Sequence, residues 1–220
     1  MASPDPVRIV IVDDHPIVAN GIQQLIDREP DMKVVKSVQD AEAAVRAIES
    51  DSPDLVIIEI SLKGATNGID LIKGLKKRYP GIMALVLSMH DENLYSERAI
   101  KAGAKGYIMK NDLTDNIVKA IRTILSGRLY LSDKITSKLL SSIANENLAD
   151  DESIIKTLSD REFEVFEHIA AGLKSSDIAK EMNISVKTVE AHKLNIKARL
   201  NLRSGTDLIK YAIEWKHKNS

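Results

Sequence analysis

The sequence predicts two domains of different fold class: an α/β domain with a doubly wound, five-stranded parallel sheet, followed by an all-α domain of four helices. Two observations predict the first domain. Short apolar runs recur five times before about residue 125, and an amphipathic helical pattern follows each run. Such solidly apolar strands are buried on both faces, which is typical of a parallel sheet covered by helices. A third observation, the purely helical pattern after Gly127, predicts the second domain.

The composition fits two small domains. A chain of 220 residues with 44% apolar residues is long enough for each domain to bury a core. There are no cysteines, which excludes disulfides, thiolate metal sites and cysteine nucleophiles. No segment approaches the roughly 20 consecutive apolar residues that span a bilayer, and the first residues lack the pattern of a signal peptide. We therefore expect a soluble cytoplasmic protein.

Strands and helices alternate in the first domain. The apolar runs predict strands at 8–13, 33–37, 55–59, 84–88 and 106–109. The amphipathic segments predict helices at 16–28, 41–50, 68–79, 92–102 and 113–126. A doubly wound sheet binds its ligands beyond the carboxyl ends of its strands. The residues that end the apolar runs are therefore the first candidates for a functional site.

Acidic, hydroxyl and lysine side chains stand at these strand ends. Asp13 and Asp14 end the first run, Glu59 closes the third, and Ser88 and Lys110 end the fourth and fifth. Clustered carboxylates bind a hard divalent cation such as Mg2+, which neutralises a phosphoryl group during transfer. A hydroxyl and an ammonium group can both contact phosphoryl oxygens. The set predicts a pocket for metal-assisted phosphoryl chemistry.

Cap signals divide the second half of the chain. Ser132 can cap a helix that runs to about residue 144, and the polar, acidic segment 145–152 is predicted to be a linker. Ser159 and Glu162 have the spacing of a capping box, which marks the start of the next helix. The four helices of the second domain are predicted at 159–170, 175–182, 185–200 and 205–217.

The second and third of these helices have the pattern of a DNA-binding unit. A short turn at 182–184 separates them and Ser185 can cap the third, as in a helix-turn-helix. From residue 156 onward 12 Lys and Arg outnumber 9 Asp and Glu, whereas the rest of the chain has a net charge of −4. The candidate DNA contacts on the third helix are Lys187, Thr188, Glu190, Ala191, Lys193, Leu194 and Lys197. Glu190 can accept a hydrogen bond from cytosine, or it can pair with Lys193 or Lys197.

Both halves resemble one known family. The segments 11–16 and 87–90, together with the strand-end residues, resemble the receiver domain of two-component response regulators. The segment 158–162 and the helix-turn-helix pattern resemble the LuxR-type domain of the NarL/FixJ subgroup. The resemblance implies a receiver domain over residues 6–126, a linker with a helix over 127–153 and a LuxR-type DNA-binding domain over 154–220.

The resemblance also implies roles for the candidate residues. Position 59 is Glu59 here, where the family has the aspartate that a sensor histidine kinase phosphorylates. Ser88 and Lys110 would contact the phosphoryl group, and Tyr107 would change its burial on activation. A weakly bound Mg2+ would be held by Asp13 through water, Asp14, Glu59 and the carbonyl of Ser61. The last helix would join a homodimer on promoter DNA through Leu208, Ile209, Ala212 and Ile213.

The glutamate leaves several interpretations open. Its extra methylene moves the carboxylate about 1.5 Å outward, so Glu59 either mimics the phosphorylated aspartate or prevents phosphorylation. A regulator controlled by partner binding fits the same residues. A metal-dependent phosphotransferase is a remote alternative, because such enzymes usually need a substrate lid or a further domain. We predict a transcriptional regulator that is not an enzyme.

Overall fold

Five parallel strands form the centre of the first of two units into which the chain divides. The computed structural model describes residues 5–64, 66–137, 154–155 and 157–219. The strands are β1 (Val7–Val12), β2 (Met32–Val38), β3 (Leu55–Ile58), β4 (Met83–Ser88) and β5 (Gly106–Met109), in the order β2-β1-β3-β4-β5. The chain moves outward in opposite directions from β1 and β3. The carboxyl ends of these two neighbouring strands therefore lie at the position where a doubly wound sheet binds its ligand.

Helices connect the strands and cover both faces of the sheet. They are α1 (Pro16–Ile26), α2 (Ala41–Asp51), α3 (Gly68–Arg78), α4 (Glu92–Ala102) and α5 (Leu113–Leu125), with a 3-10 turn at Lys110–Asp112. Side-chain caps start three of the crossover helices. Asp40 accepts a hydrogen bond from the backbone N–H of Ala43, Asn67 accepts one from that of Asp70, and Asp91 accepts one from that of Asn93. These caps explain why the helices begin where the sequence predicts.

The strands are buried on both faces. Ile9 and Ile11 belong to a core with residues of α1 and α5, and the alternate residues Val10 and Val12 are equally buried. Because successive side chains of a strand point to opposite faces, both faces of the sheet must be covered. This confirms the predicted doubly wound α/β fold.

The two strands that carry the acidic residues end one residue earlier than predicted. β1 ends at Val12 and β3 at Ile58, so Asp13 and Glu59 belong to the loops that follow. Their backbones still continue the sheet: the N–H of Asp13 donates to the carbonyl of Val38, and that of Glu59 donates to the carbonyl of Val12. These hydrogen bonds fix the direction in which both acidic side chains leave the sheet.

The second unit is helical. Its helices are α6 (Asp160–Ala170), α7 (Ser175–Glu181), α8 (Val186–Arg199) and α9 (Gly205–Asn219). The capping box of Ser159 and Glu162 is present, and Ser185 caps α8 by accepting from the backbone N–H of Thr188. Asn183 has φ +52° in the turn between α7 and α8, a conformation that asparagine tolerates better than most residues. An all-α second domain is thus confirmed.

Aromatic rings fill the core of the helical unit. The ring of Trp215 on α9 contacts Phe163 and Phe166 of α6 edge-on, with centroids 5.8 and 5.3 Å apart. Val189 and Ile196 of α8 are fully buried as well. The packing of α8 through these two residues determines which of its faces is available to a ligand.

The helix predicted after Ser132 is described only at its start. Residues 133–137 are helical, and the Ser132 hydroxyl accepts from the backbone N–H of Ile135. The rest of that helix and the predicted linker 145–152 lie outside the described residues. Within the described parts of the chain, no helix is long and apolar enough to cross a membrane.

Candidate functional site

The strand ends of the first unit bring the predicted polar residues to one edge of the sheet. Asp13 and Asp14 follow β1, Glu59 follows β3, Ser88 ends β4 and Lys110 follows β5. The side chains of Asp13, Glu59 and Ser88 are buried, and that of Lys110 is only 6% exposed. Parallel strands place their carboxyl ends together, which is why residues up to 97 positions apart in sequence meet here.

Lys110 is the cation of this pocket. Its Nζ lies 2.7 Å from Asp13 Oδ2 and 2.7 Å from Glu59 Oε2. Burial by itself would lower the pKa of Lys110, but the charge of Glu59 and the hydrogen bonds to Asp13 and Glu59 outweigh burial and raise the pKa above its ordinary value. The ammonium group therefore stays charged at neutral pH and joins two carboxylates that would otherwise repel each other.

The carboxylate of Glu59 accepts two hydrogen bonds in the pocket. Its Oε1 accepts from the Ser88 hydroxyl at 2.9 Å and from the backbone N–H of Ser61 at 3.1 Å. Its Oε2 is the oxygen that pairs with Lys110. A hydroxyl, a backbone N–H and an ammonium group are together a suitable donor set for an anion with several oxygens.

The metal-ligating side chains lie beside Glu59. Asp13, Asp14 and His15 form a group of three potential ligands, whose donor atoms lie within 4.8 Å of one another. The imidazole Nδ1 of His15 is 2.9 Å from Asp14 Oδ1 and 3.2 Å from Asp13 Oδ1. Carboxylate oxygens suit a hard divalent cation such as Mg2+, so Asp13 and Asp14 fit the predicted ion. Glu59 is not in this group, and its oxygens contact Ser88, Ser61 and Lys110, so its role as a metal ligand stays a prediction.

Tyr107 and His90 connect the pocket to its surroundings. Tyr107 is buried, and its hydroxyl donates to the backbone carbonyl of His90 at 2.9 Å. The His90 ring nitrogen Nε2 lies 2.6 Å from the Ser61 hydroxyl, and the His90 N–H donates to the Ser88 hydroxyl at 3.2 Å. His15 and His90 had no predicted role. Their positions next to the acid pair and two residues after Ser88 are the only sequence signals that point to them.

Five of the seven predicted DNA contacts on α8 are exposed, and two are half-buried beside its core residues. Leu194 is 61% exposed although it is apolar. The remaining contacts divide into two groups by exposure, with Lys187, Thr188, Glu190 and Ala191 exposed and Lys193 and Lys197 half-buried. Because Val189 and Ile196 pack inward, the exposed contacts are available for a groove of DNA.

The predicted dimerisation residues of α9 divide between core and surface. Leu208 and Ala212 are fully buried, whereas Ile209 is 47% and Ile213 is 38% exposed. Residues four apart share a helix face, so α9 packs one apolar stripe inside the unit and exposes the next. Leu208 and Ala212 therefore pack within the unit itself, and of the four predicted dimerisation residues Ile209 and Ile213 are the exposed ones.

Two family descriptions match the chain, and several known proteins are similar to it over nearly its whole length. Residues 9–122 match "Response regulator receiver domain", and residues 156–212 match "Bacterial regulatory proteins, luxR family". The oxygen regulatory protein NreC of Staphylococcus epidermidis is 35% identical over 214 residues, which cover 96% of this chain and 98% of that protein.

Solved structures of response regulators are also similar to this chain. One is the RcsB response regulator of Salmonella typhimurium, with a TM-score of 0.67, 25% identity, and coverage of 96% of this chain and 98% of that one. Another is RcsB of Salmonella enterica serovar Typhimurium bound to the promoter rprA in the presence of phosphomimetic BeF3-, with a TM-score of 0.63, 26% identity, and coverage of 94% and 98%. The chain therefore belongs to the two-component response regulators of the NarL/LuxR type, DNA-binding regulators in which a receiver domain is joined to a LuxR-type helix-turn-helix domain.

Proposed function

We propose that this response regulator uses Glu59 in place of a phosphorylated aspartate, so that its receiver domain adopts the activated state without a phosphoryl group. One observation carries the proposal. The Glu59 carboxylate takes hydrogen bonds or ion pairs from the Ser88 hydroxyl, the Ser61 N–H and the Lys110 ammonium group. The family resemblance assigns Ser88 and Lys110 to the oxygens of the phosphoryl group. A fixed anion that satisfies both removes the need for that group.

The contacts of Tyr107 support an activated receiver. In the family, the aromatic residue at this position changes its burial on activation. Here Tyr107 is buried, and its hydroxyl donates to the carbonyl of His90, whose N–H donates to the same Ser88 hydroxyl that donates to Glu59. The Glu59 carboxylate and the Tyr107 ring are therefore connected by consecutive hydrogen bonds.

Mg2+ belongs to the same proposal. Asp14, and Asp13 through water, would hold the ion, with the Ser61 carbonyl as a further ligand. When bound, Mg2+ supplies neutralising charge for a transferring phosphoryl group. Asp13 already pairs with Lys110, and Glu59 is engaged elsewhere, so binding should be weak. Compared with an aspartate at position 59, Glu59 thus shifts the balance from metal binding to internal ion pairing.

The partners follow from the two domains. We propose a receiver over residues 6–126, a linker over 127–153 and a DNA-binding domain over 154–220. The receiver would address a sensor histidine kinase, and α8 would contact double-stranded promoter DNA in the cytoplasm. Ile209 and Ile213 on the exposed face of α9 would join two copies on DNA. A metal-dependent phosphotransferase has no support from either family match.

Intact mass tests the role of Glu59. Incubation with acetyl phosphate and Mg2+ should leave the mass of the protein unchanged, because a misplacement of about 1 Å can slow in-line attack by about 100-fold. Glu59→Asp should gain the mass of one phosphoryl group under the same conditions. Glu59→Ala, which has no carboxylate, is the matched control and should gain nothing. A full phosphoryl increment on the protein with Glu59 would contradict the proposal.

A further inference from the structure

Three polar side chains form a closed cluster between α7 and α8. The hydroxyl of Ser175, the first residue of α7, donates to Oε1 of Glu190 on α8. The Lys193 Nζ lies 2.9 Å from the same Oε1 and 3.0 Å from the Ser175 oxygen. Each member of the cluster therefore contacts the other two, and the Glu190 side chain is tied to both helices of the helix-turn-helix.

The cluster leaves one carboxylate oxygen available. Both contacts that Glu190 makes with described residues are to Oε1, and its side chain is 51% exposed, so Oε2 can accept a further hydrogen bond. The hydrogen bond from Ser175 and then that from Lys193 lower the pKa of Glu190, which keeps the group ionised at neutral pH. An ionised carboxylate only accepts hydrogen bonds, which restricts its partners to donors.

In the major groove, the amino group of cytosine is the donor that a glutamate recognises. We infer that Glu190 reads a cytosine and that Ser175 and Lys193 are positioning residues that fix its carboxylate for this contact. The inference rests on the proposed role of α8 as the DNA-reading helix. Holding Glu190 in one rotamer before binding reduces the entropy lost when it meets the base. The ammonium group of Lys193 also offsets the repulsion between Glu190 and the DNA phosphates.

Because of this cluster, we expect Lys187 and Lys193 to affect DNA binding in different ways. Lys187 is exposed and is free to displace counterions from a phosphate, which gives it a direct share of the salt dependence. The side chain of Lys193 is 23% exposed and held by Glu190 and Ser175. Lys193 therefore acts on DNA binding mainly through Glu190, and its substitution should matter little once Glu190 is absent.

The test uses the full-length protein and a duplex site selected from a pool of random-sequence DNA. Affinities are measured for that site and for each of its single-base-pair variants, at several salt concentrations. Glu190→Ala should reduce discrimination at one C·G pair by about 5- to 150-fold. Ser175→Ala should reduce it at the same pair by about three- to tenfold, with little change in affinity for random DNA. Ser175→Thr keeps the hydroxyl and should retain the preference of the parent.

The neighbouring Ser176 provides the matched control, since its hydroxyl contacts only Asp177 among the described residues. Ser176→Ala should leave the preference unchanged. If Glu190→Ala loses the preference but Ser175→Ala keeps it, the positioning role of Ser175 is wrong. If Glu190→Ala keeps it while Lys187→Ala lowers the salt slope by about one unit, Glu190 does not read a base although α8 binds DNA. If no substitution in α8 changes affinity or preference, the assignment of α8 itself fails.

A double substitution tests Lys193 separately. Lys193→Ala should weaken binding in the parent, because it leaves the Glu190 charge close to the DNA phosphates without its cation. The same change in a Glu190→Ala background should have an effect smaller by at least about threefold, since residues in contact are not additive. Equal effects in the two backgrounds would show that Lys193 contacts DNA directly and would overturn its positioning role.

Discussion

Lys110→Met is expected to lower the free energy of unfolding of the receiver domain by about 3–5 kcal/mol, the cost of breaking a buried ion pair by removing one partner. The ammonium group lies 2.7 Å from both Asp13 and Glu59, and all three side chains are buried. Methionine keeps most of the length of the lysine stem, so the loss comes from the charge rather than from packing. Urea unfolding at neutral pH, followed by circular dichroism, measures the effect.

The helical unit and a surface lysine provide the controls. Lys119 lies on α5 with an exposed side chain, and Lys119→Met should change the stability by less than about 0.5 kcal/mol. Trp215, the single tryptophan, is buried in the helical unit, so its fluorescence transition should be the same in both variants. Mg2+ should stabilise Lys110→Met more than the parent, and adding Asp14→Ala should remove that gain. If Lys110→Met lowers the free energy of unfolding no more than Lys119→Met does, the ion pairs of Lys110 with Asp13 and Glu59 do not stabilise the receiver.

Gly68→Ala should destabilise the receiver although alanine is the better helix former. A Cβ at Gly68 would lie 2.1 Å from the backbone oxygen of Glu59 and 2.9 Å from the Cα of Ile60, and neither atom can move alone. The N–H of Gly68 also donates to the Ile60 carbonyl at 2.7 Å, which holds α3 against this loop. We expect a loss of about 1–3 kcal/mol from overpacking, larger than the gain of roughly 1 kcal/mol from helix propensity.

Gly74 in the same helix gives the matched control for Gly68. A Cβ there would meet nothing within 4 Å, so Gly74→Ala should be neutral or stabilise the protein by up to about 1 kcal/mol. Circular dichroism during urea unfolding compares the two variants. Gly68→Ala should lower the free energy of unfolding, whereas Gly74→Ala should leave it unchanged or raise it. An increase for Gly68→Ala would show that the backbone at Glu59 can shift to accommodate the added methyl group. Because the clash falls on the backbone of Glu59, Gly68→Ala should also disturb the pocket.

The strand-end pocket could be predicted from the sequence because it depends on topology. Once five apolar runs are placed in a parallel sheet, the residues that follow them share an edge, whatever the details of the loops. Asp13, Glu59, Ser88 and Lys110 meet for this reason. The sequence could not predict which of these side chains contact one another. The oxygens of Glu59 contact Ser88 and Lys110, and these contacts depend on side-chain rotamers that the sequence alone does not define.

Contacts between side chains that are far apart in the sequence could not be predicted, because they leave no pattern in the local sequence. Ser175 and Glu190 are 15 residues apart on different helices, and their hydrogen bond depends on rotamers that only the packed unit defines. The apolar residues of α9 present a related difficulty. Leu208 and Ile209 are adjacent and equally apolar, so the sequence fits either as the buried residue, and the packing of α9 against α6 makes Leu208 the buried one.

The most direct test of the Glu59 proposal is the affinity of the full-length protein for its selected duplex in the absence of any phosphodonor. Glu59→Gln keeps the shape of the side chain but removes the charge that pairs with Lys110. We expect it to bind about 5- to 150-fold more weakly than the parent, the range of a typical allosteric coupling. Glu59→Asp should be equally weak until acetyl phosphate and Mg2+ restore binding to the parental level. Equal affinity of the parent and Glu59→Gln would show that the Glu59 charge does not maintain the activated state.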